Sequence, residues 1–255
     1  MLGANAVSLS PRISSADGTV TFNGSPSNSI KGPILRGRDI KRYGYDWAGL
    51  WLIYIPWHFP YQFDSSITGA SEKAERAFKE QYPAVYAHML QYKEPLSKRN
   101  KAETGIRYEW YAMQRWGAKY WDDFNKPKVI YPNMTKYMPF VYDERGYVTN
   151  QKCFIITGCG IAFLAAFLNS SLFKYCFRDS FPELQGGTRE MSKIFFDKIP
   201  VIKVDDTTES RFCSLIKDIQ EDYSKEKAIS LDQRLFDLYN LTDEERSTIG
   251  FVEIQ

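Results

Sequence analysis

Apolar residues change their spacing several times along this chain, and each change marks an element. The run Leu50-Trp51-Leu52-Ile53-Tyr54-Ile55 is continuous and predicts a buried strand. Pro56-Trp57-His58-Phe59-Pro60 ends it, because proline cannot continue a ladder. Helical spacing takes over at Ala74, Ala77 and Phe78, and again at Val85, Met89 and Tyr92. Ser71 is placed to cap the first helix. Pro83 divides the region and predicts a second helix starting near it, since proline suits a first helical turn. Residues 125–132, bracketed by Pro127 and Pro132, predict a short strand. Residues 137–142 and 147–157 predict two more around Asp143-Glu144-Arg145-Gly146, a hairpin tetrapeptide with glycine where φ is positive.

Gly158-Cys159-Gly160 breaks the sheet. Ile161, Leu164, Ala165 and Leu168 then share one helical face, and Leu172, Phe173, Cys176 and Phe177 continue in a second helical piece. A loop surrounds Gly186-Gly187, and residues 194–196 and 199–202 are apolar and predicted extended. From Thr207 the pattern is charged and helical, with Phe212, Leu215, Ile216 and Ile219 on one face, then Leu231, Leu235 and Leu238. Thr242 and Glu245 form a capping box. The pattern predicts an α+β fold, a mixed sheet with flanking helices and a helical C-terminal tail. It divides into a loosely ordered lead-in at 1–30 with an edge strand at 19–22, a body at 31–204 and a tail at 205–255.

Charge is distributed unevenly. The chain of 255 residues carries a net charge of +2. From Asp205 onward there are 13 acids and 6 bases, which leaves +9 on residues 1–204. A basic body with an acidic tail fits a nucleic-acid binder whose tail faces elsewhere, and equally a protein with an amphipathic helical tail. Aromatics reach 16%, and Tyr45, Trp47 and Trp51 are expected in the core rather than as base stackers. Cys153, Cys159, Cys176 and Cys213 lack Cys-x-x-Cys spacing and are expected as buried free thiols in a reducing cytoplasm. His58 and His88 are too few and too far apart for a zinc site. No signal peptide is expected, and the most apolar window, 154–168, is too short to span a bilayer.

The densest basic stretch is Pro33-Ile34-Leu35-Arg36-Gly37-Arg38-Asp39-Ile40-Lys41-Arg42-Tyr43. It predicts a turn at Gly37 and a short helical turn capped by Asp39. Arg36, Arg38, Lys41 and Arg42 would then be presented to phosphates from a rigid support, or would form a solvated basic loop. Base-edge readers are expected in two loops. One is Lys136 and Tyr137, with Arg145 of the hairpin; the other is Gln185, Thr188 and Arg189 around Gly186-Gly187. Gln pairs with adenine and Arg with guanine, and glycine permits close backbone approach.

The basic stretch, with the Trp51-Leu52-Ile53-Tyr54 that follows it, resembles the opening of a TaqI-like C-terminal specificity domain. Such domains are the DNA target-recognition parts of type IIG restriction-modification enzymes and related phage-defence adenine methylases. Further segments resemble the family in its order: Trp110-Tyr111, Lys126-Pro127-Lys128-Val129-Ile130-Tyr131-Pro132, Leu164-Ala165-Ala166-Phe167-Leu168-Asn169-Ser170, Lys198-Ile199-Pro200-Val201, and Leu238-Tyr239-Asn240-Leu241-Thr242-Asp243-Glu244-Glu245. The resemblance implies binding of double-stranded DNA beside a methyltransferase domain or subunit. That partner would hold S-adenosylmethionine, with magnesium a further candidate there, and flip and methylate adenine.

The family's catalytic parts have no counterpart here. There is no Asn-Pro-Pro-Tyr motif, no glycine-rich cofactor turn, no Pro-Asp with a spaced Asp/Glu-x-Lys, and no Gly-x-Ser-x-Gly. The chain is expected to be non-catalytic alone, with no cofactor or metal of its own, and to be a fragment or a separate specificity subunit. One alternative is a protein-interaction module that docks onto a methyltransferase and has little DNA affinity. An unrecognised metal-dependent nuclease is another.

Overall fold

The computed structural model describes residues 31–252; the lead-in and its expected strand at 19–22 lie outside the described residues. Two compact units divide them: residues 31–34 with 49–125, and residues 35–48 with 126–252. The fold is α+β.

In the first unit, β1 (Lys31–Leu35) pairs antiparallel with β2 (Trp51–Ile53), and ends on the first residue of the second unit. Three helices follow: α1 (Glu72–Gln81), α2 (Pro83–Leu90) and α3 (Lys93–Ser97). Ser71 Oγ accepts from Ala74 N and caps α1, and Pro83 opens α2. Phe78, Val85, Met89 and Leu96 close over Ile53, Ile55, Tyr108 and Tyr111. Two acids, half-buried Glu75 and buried Glu109, pin this aromatic core. Glu75 accepts from Tyr86 Oη at 2.8 Å and Trp110 Nε1 at 2.7 Å. Glu109 accepts the backbone N–H of His58 and Ser71 and faces His58 Nδ1 at 3.1 Å. Each amphipathic ring thereby buries its apolar body without orphaning its polar tip.

The second unit begins its main run with β3 (Lys128–Pro132), β4 (Met134–Thr135), β5 (Val141–Asp143), β6 (Val148–Thr149) and β7 (Cys153–Thr157). Strand β3 lies between β5 and β7, antiparallel to both. Lys128 stands opposite Asp143 and is bonded to it at 2.5 Å, both side chains buried. Asp143 also accepts from the N–H groups of Arg145 and Tyr147, which folds the expected turn, with Gly146 at φ +77°. The turn does not close a hairpin, because β5 pairs with β3 and not with β6.

Helices α4 (Ile161–Asn169) and α5 (Ser171–Phe177) come next, then β8 (Arg189–Glu190), α6 (Lys193–Phe196), α7 (Asp206–Glu221), α8 (Lys225–Leu238) and α9 (Asp243–Ile249). Phe163 and Phe167 of α4, Phe212 and Ile216 of α7, and Leu231 and Leu235 of α8 share one core with Val129 and Tyr131. Glu209 of α7 accepts from Ala162 N and Phe163 N, satisfying the opening of α4. The last helices thus supply apolar and capping groups to the sheet's own core.

Five expectations are corrected locally. Residues 137–142 form a strand only from Val141, because Met138 turns back at φ +51° and Pro139 has no N–H to give. Residues 147–157 are two strands, parted by a turn in which Cys153 N bonds Asn150 O. Residues 194–196 are helical within α6, not extended. Cys159 and Cys176 are exposed, not buried, and so is Trp47.

The two helices α4 and α5 meet at a buried polar corner, Asn169-Ser170-Ser171. The Asn169 carboxamide accepts from Phe140 N and donates to Phe140 O and Ala165 O. Ser170 Oγ caps α5 by accepting from Phe173 N. Ser171 bonds Asp232 of α8 through both N and Oγ, and its Oγ accepts from Val252 N. An Asn169→Ala variant strands the Phe140 N–H and C=O in an apolar core. It is expected to lose about 2–4 kcal/mol, read as a lower denaturation midpoint in urea.

Candidate nucleic-acid interface

A single-turn helix at Gly37–Asp39 organises the basic stretch. Asp39 is buried and accepts from the Arg36 backbone N–H at 2.9 Å and from the Arg36 guanidinium at 2.7–3.2 Å. The first arginine is thus a clasp that neutralises its own acid. Burial opposes ionisation of Asp39, but the Arg36 hydrogen bonds outweigh it and hold the carboxyl below its ordinary value. Arg38 and Lys41 point outward, Lys41 with a loose contact to exposed Asp46 at 3.7 Å. Arg42 turns inward. It donates to Asn169 O at 2.9 Å and Val252 O at 3.0 Å and lies over the Tyr43 and Phe251 rings. Spent on the protein's own carbonyls, Arg42 is not a surface cation, contrary to expectation.

The turn rests on the end of β3. A Cβ at Gly37 would stand 3.4 Å from Pro132 Cβ and from the Lys152 carbonyl. The Lys152 side chain is exposed there. Arg145 joins this region rather than the expected reading loop, its guanidinium donating to Tyr45 Oη at 3.1 Å.

The two expected reading loops are brought together by a pairing the sequence did not suggest. Strand β4 pairs with β8, Thr135 opposite Arg189, so the chain after β4 and the chain before β8 leave the same end of a two-stranded ribbon. Lys136 and Tyr137 are exposed on one side. Gln185 is exposed on the other, with Thr188 half-buried. Gly187 sits 3.9 Å from Lys136 Cε, measured from the place a Cβ would occupy. Leu184 N bonds Thr188 O at 2.6 Å and closes the second loop, with Gly186 and Gly187 both left-handed at φ +75° and +76°. Such consecutive values favour glycine.

Arg189 is corrected as Arg42 was. It is buried and donates to Phe181 O, Asp179 and Glu183, clasping the loop from inside.

Both groups of exposed residues spring from one end of β3: the basic turn packs on Pro132, and the ribbon begins at Met134. The TaqI-like C-terminal specificity domain family matches residues 32–201. The chain belongs to that family. The match takes in the basic turn, β3, the Asn169 corner and the ribbon, and it stops before α7. TaqI-like specificity domains carry a DNA-recognition role in restriction-modification systems. No curated protein matches the chain.

Among the described residues of this TaqI-like domain, no group of three or more His, Cys, Asp or Glu could hold a metal ion, and no helix is long and apolar enough to cross a membrane. An apolar groove of about 690 Å³ runs along β7, lined by Phe154, Phe163, Phe196, Val201 and Ile202 among others, and none of the expected site residues lines it.

Sequence reasoning missed Lys152, whose approach to the basic turn depends on a contact between distant segments. It also missed Asn169 as a support, although Asn169 stands in a segment that resembles the family. The Asp39 carboxyl is expected to titrate below its ordinary value. Because its folded value is depressed, the stabilisation from the clasp is present above the unfolded-chain value and is lost as pH falls through the folded value. The Arg36 side-chain N–H resonance, followed by NMR through acid titration, reads the transition.

Proposed function

We propose that this chain is the sequence-specific double-stranded DNA recognition domain of a restriction-modification or phage-defence adenine methyltransferase system. It acts as a fragment of a larger enzyme or as its specificity subunit, in the cytoplasm. The observation that carries this reading is the convergence of Lys136, Tyr137, Gln185 and Thr188 at one ribbon tip, with the outward cations Arg38 and Lys41 on a turn that packs at the end of β3 from which the ribbon continues, and Lys152 beside that turn. Phosphate contacts fix register without reading sequence, whereas base edges need polar groups on a narrow, rigid projection. The basic turn fits the first task and the ribbon tip the second. Arg36 and Arg145 support the turn while keeping part of their charge at its surface.

In this reading the chain performs no catalysis. A methyltransferase domain or subunit holds S-adenosylmethionine, and any magnesium, and extrudes the adenine that this chain has placed in register. Type IIG organisation is the form of partner the resemblance favours.

A second reading is a module that docks on the methyltransferase and leaves DNA to it. The groove along β7 favours this reading, since Phe154, Val201 and Ile202 stay exposed around it. A complex with the methyltransferase that is insensitive to salt, without DNA binding by this chain, would select it.

Recovery of bound sequences from a pool of random duplexes, at low and physiological salt, tests the first reading. Enrichment of one short motif at the higher salt is expected. Arg38→Ala and Lys41→Ala should weaken binding to all duplexes alike, each lowering the slope of log K against log salt by about 1. Lys136→Ala and Gln185→Ala should change the enriched motif. A uniform loss from those two changes would remove the ribbon tip as the reader.

A further inference from the structure

The loop that carries Lys136 and Tyr137 has no long strand to stiffen it, yet its main chain is gripped at successive residues. Thr135 Oγ1 accepts from Tyr137 N at 3.1 Å and Met138 N at 3.3 Å. The Asn169 carboxamide closes on both polar groups of Phe140. Between these grips the chain turns through Met138, a buried residue at φ +51°, and its carbonyl points into the core. The group that meets it is the amine of Lys174, from α5.

We propose that Lys174 is a positioning residue for target-sequence reading: from inside the core it holds the main chain of the loop that presents Lys136 and Tyr137. The proposal rests on the DNA-recognition reading above. Lys174 is buried, with its amine 4.9 Å from the Phe140 ring centre and 5.2 Å from that of Phe173. Burial, with Arg42 and Arg178 nearby, lowers its pKa well below the ordinary value. An amine in such a place is costly, and an aliphatic side chain would fill the same space without that cost. What an aliphatic side chain cannot do is donate to the Met138 carbonyl, which the turn has removed from any strand ladder. Ammonium and neutral amine both keep N–H groups for that bond.

The consequence reaches both reading loops. Lys136 lies against Gly187, so a shift at Met138 moves the first loop and removes the surface on which the second rests. Recognition groups need their supporting shell to hold them to about 0.5 Å, so a small drift there erodes selectivity before it erodes charge attraction. The basic turn, which supplies that attraction, does not depend on Met138 for its own clasp.

The test measures the intact chain against the duplex it enriches and a scrambled duplex of equal length. In Lys174→Met, the ratio of the two affinities is expected to fall at least about tenfold, with binding to the scrambled duplex held within about twofold. Lys174→Gln, which keeps a donor, should retain part of the ratio. Hydrogen exchange should quicken at the amides of Tyr137, Met138 and Phe140 and stay unchanged in α7 and α8. An unchanged ratio overturns the proposal. So does an equal loss on both duplexes in step with the unfolded fraction, which is also how a variant that fails to fold would read. If the unaltered chain prefers neither duplex, the DNA-reading function itself fails and the positioning role falls with it. The exchange data then still show whether Lys174 holds the loop.

Discussion

The second unit depends on how polar main chain is satisfied where α4 stops inside an apolar core. Helix ends leave carbonyl and N–H groups without partners, and water cannot reach these. Asn169, Ser170 and Ser171 solve the problem in three consecutive residues. Asn169 completes the strand region at Phe140, Ser170 opens α5, and Ser171 ties α8 through Asp232 and the segment after α9 through Val252. The Asn169 carbonyl takes Arg42, which fastens the basic turn to the same point. Each bond contributes only about 1 kcal/mol net, but each would leave a buried group orphaned if broken, and that asymmetry locks the arrangement.

Charge serves structure here more often than composition suggests. Arg36 is bound to Asp39, Arg42 to two carbonyls, Arg189 to a carbonyl and two acids, and Lys128 to Asp143 within the sheet. Buried charges held in this way add little net stability against desolvation, but they are intolerant of losing a partner and therefore fix geometry. Arg38, Lys41, Lys152 and Lys136 are left outside as exposed cations. The same residue type thus divides into fasteners and presenters according to depth.

Rigidity is what a short ribbon lacks by itself, since two residues on each strand cannot stabilise a projection in water. Here the loops at its tip are held by side chains from helices and by their own internal bonds: Thr135 and Asn169 on one side, Arg189 and the Leu184–Thr188 closure on the other. Presenting polar groups on such a fixed support limits the ordering entropy that binding would otherwise cost.

Local pattern alone determined much of this protein. Pro83 at the start of α2, Ser71 and Thr242 as caps, the turn at Gly146 and the periodic helices from Asp206 all follow from rules that act within a few residues, and they stand in the structure. The ordered family segments named the family for the same reason, being contiguous in sequence. Tertiary structure alone decided which arginines face solvent, that Lys136 meets Gly187, and that the last helices belong to the sheet's core. Each of these depends on partners distant in sequence, such as Arg42 with Asn169 and Glu209 with α4. Depth and long-range pairing are properties of the packed chain, and no local spacing encodes them.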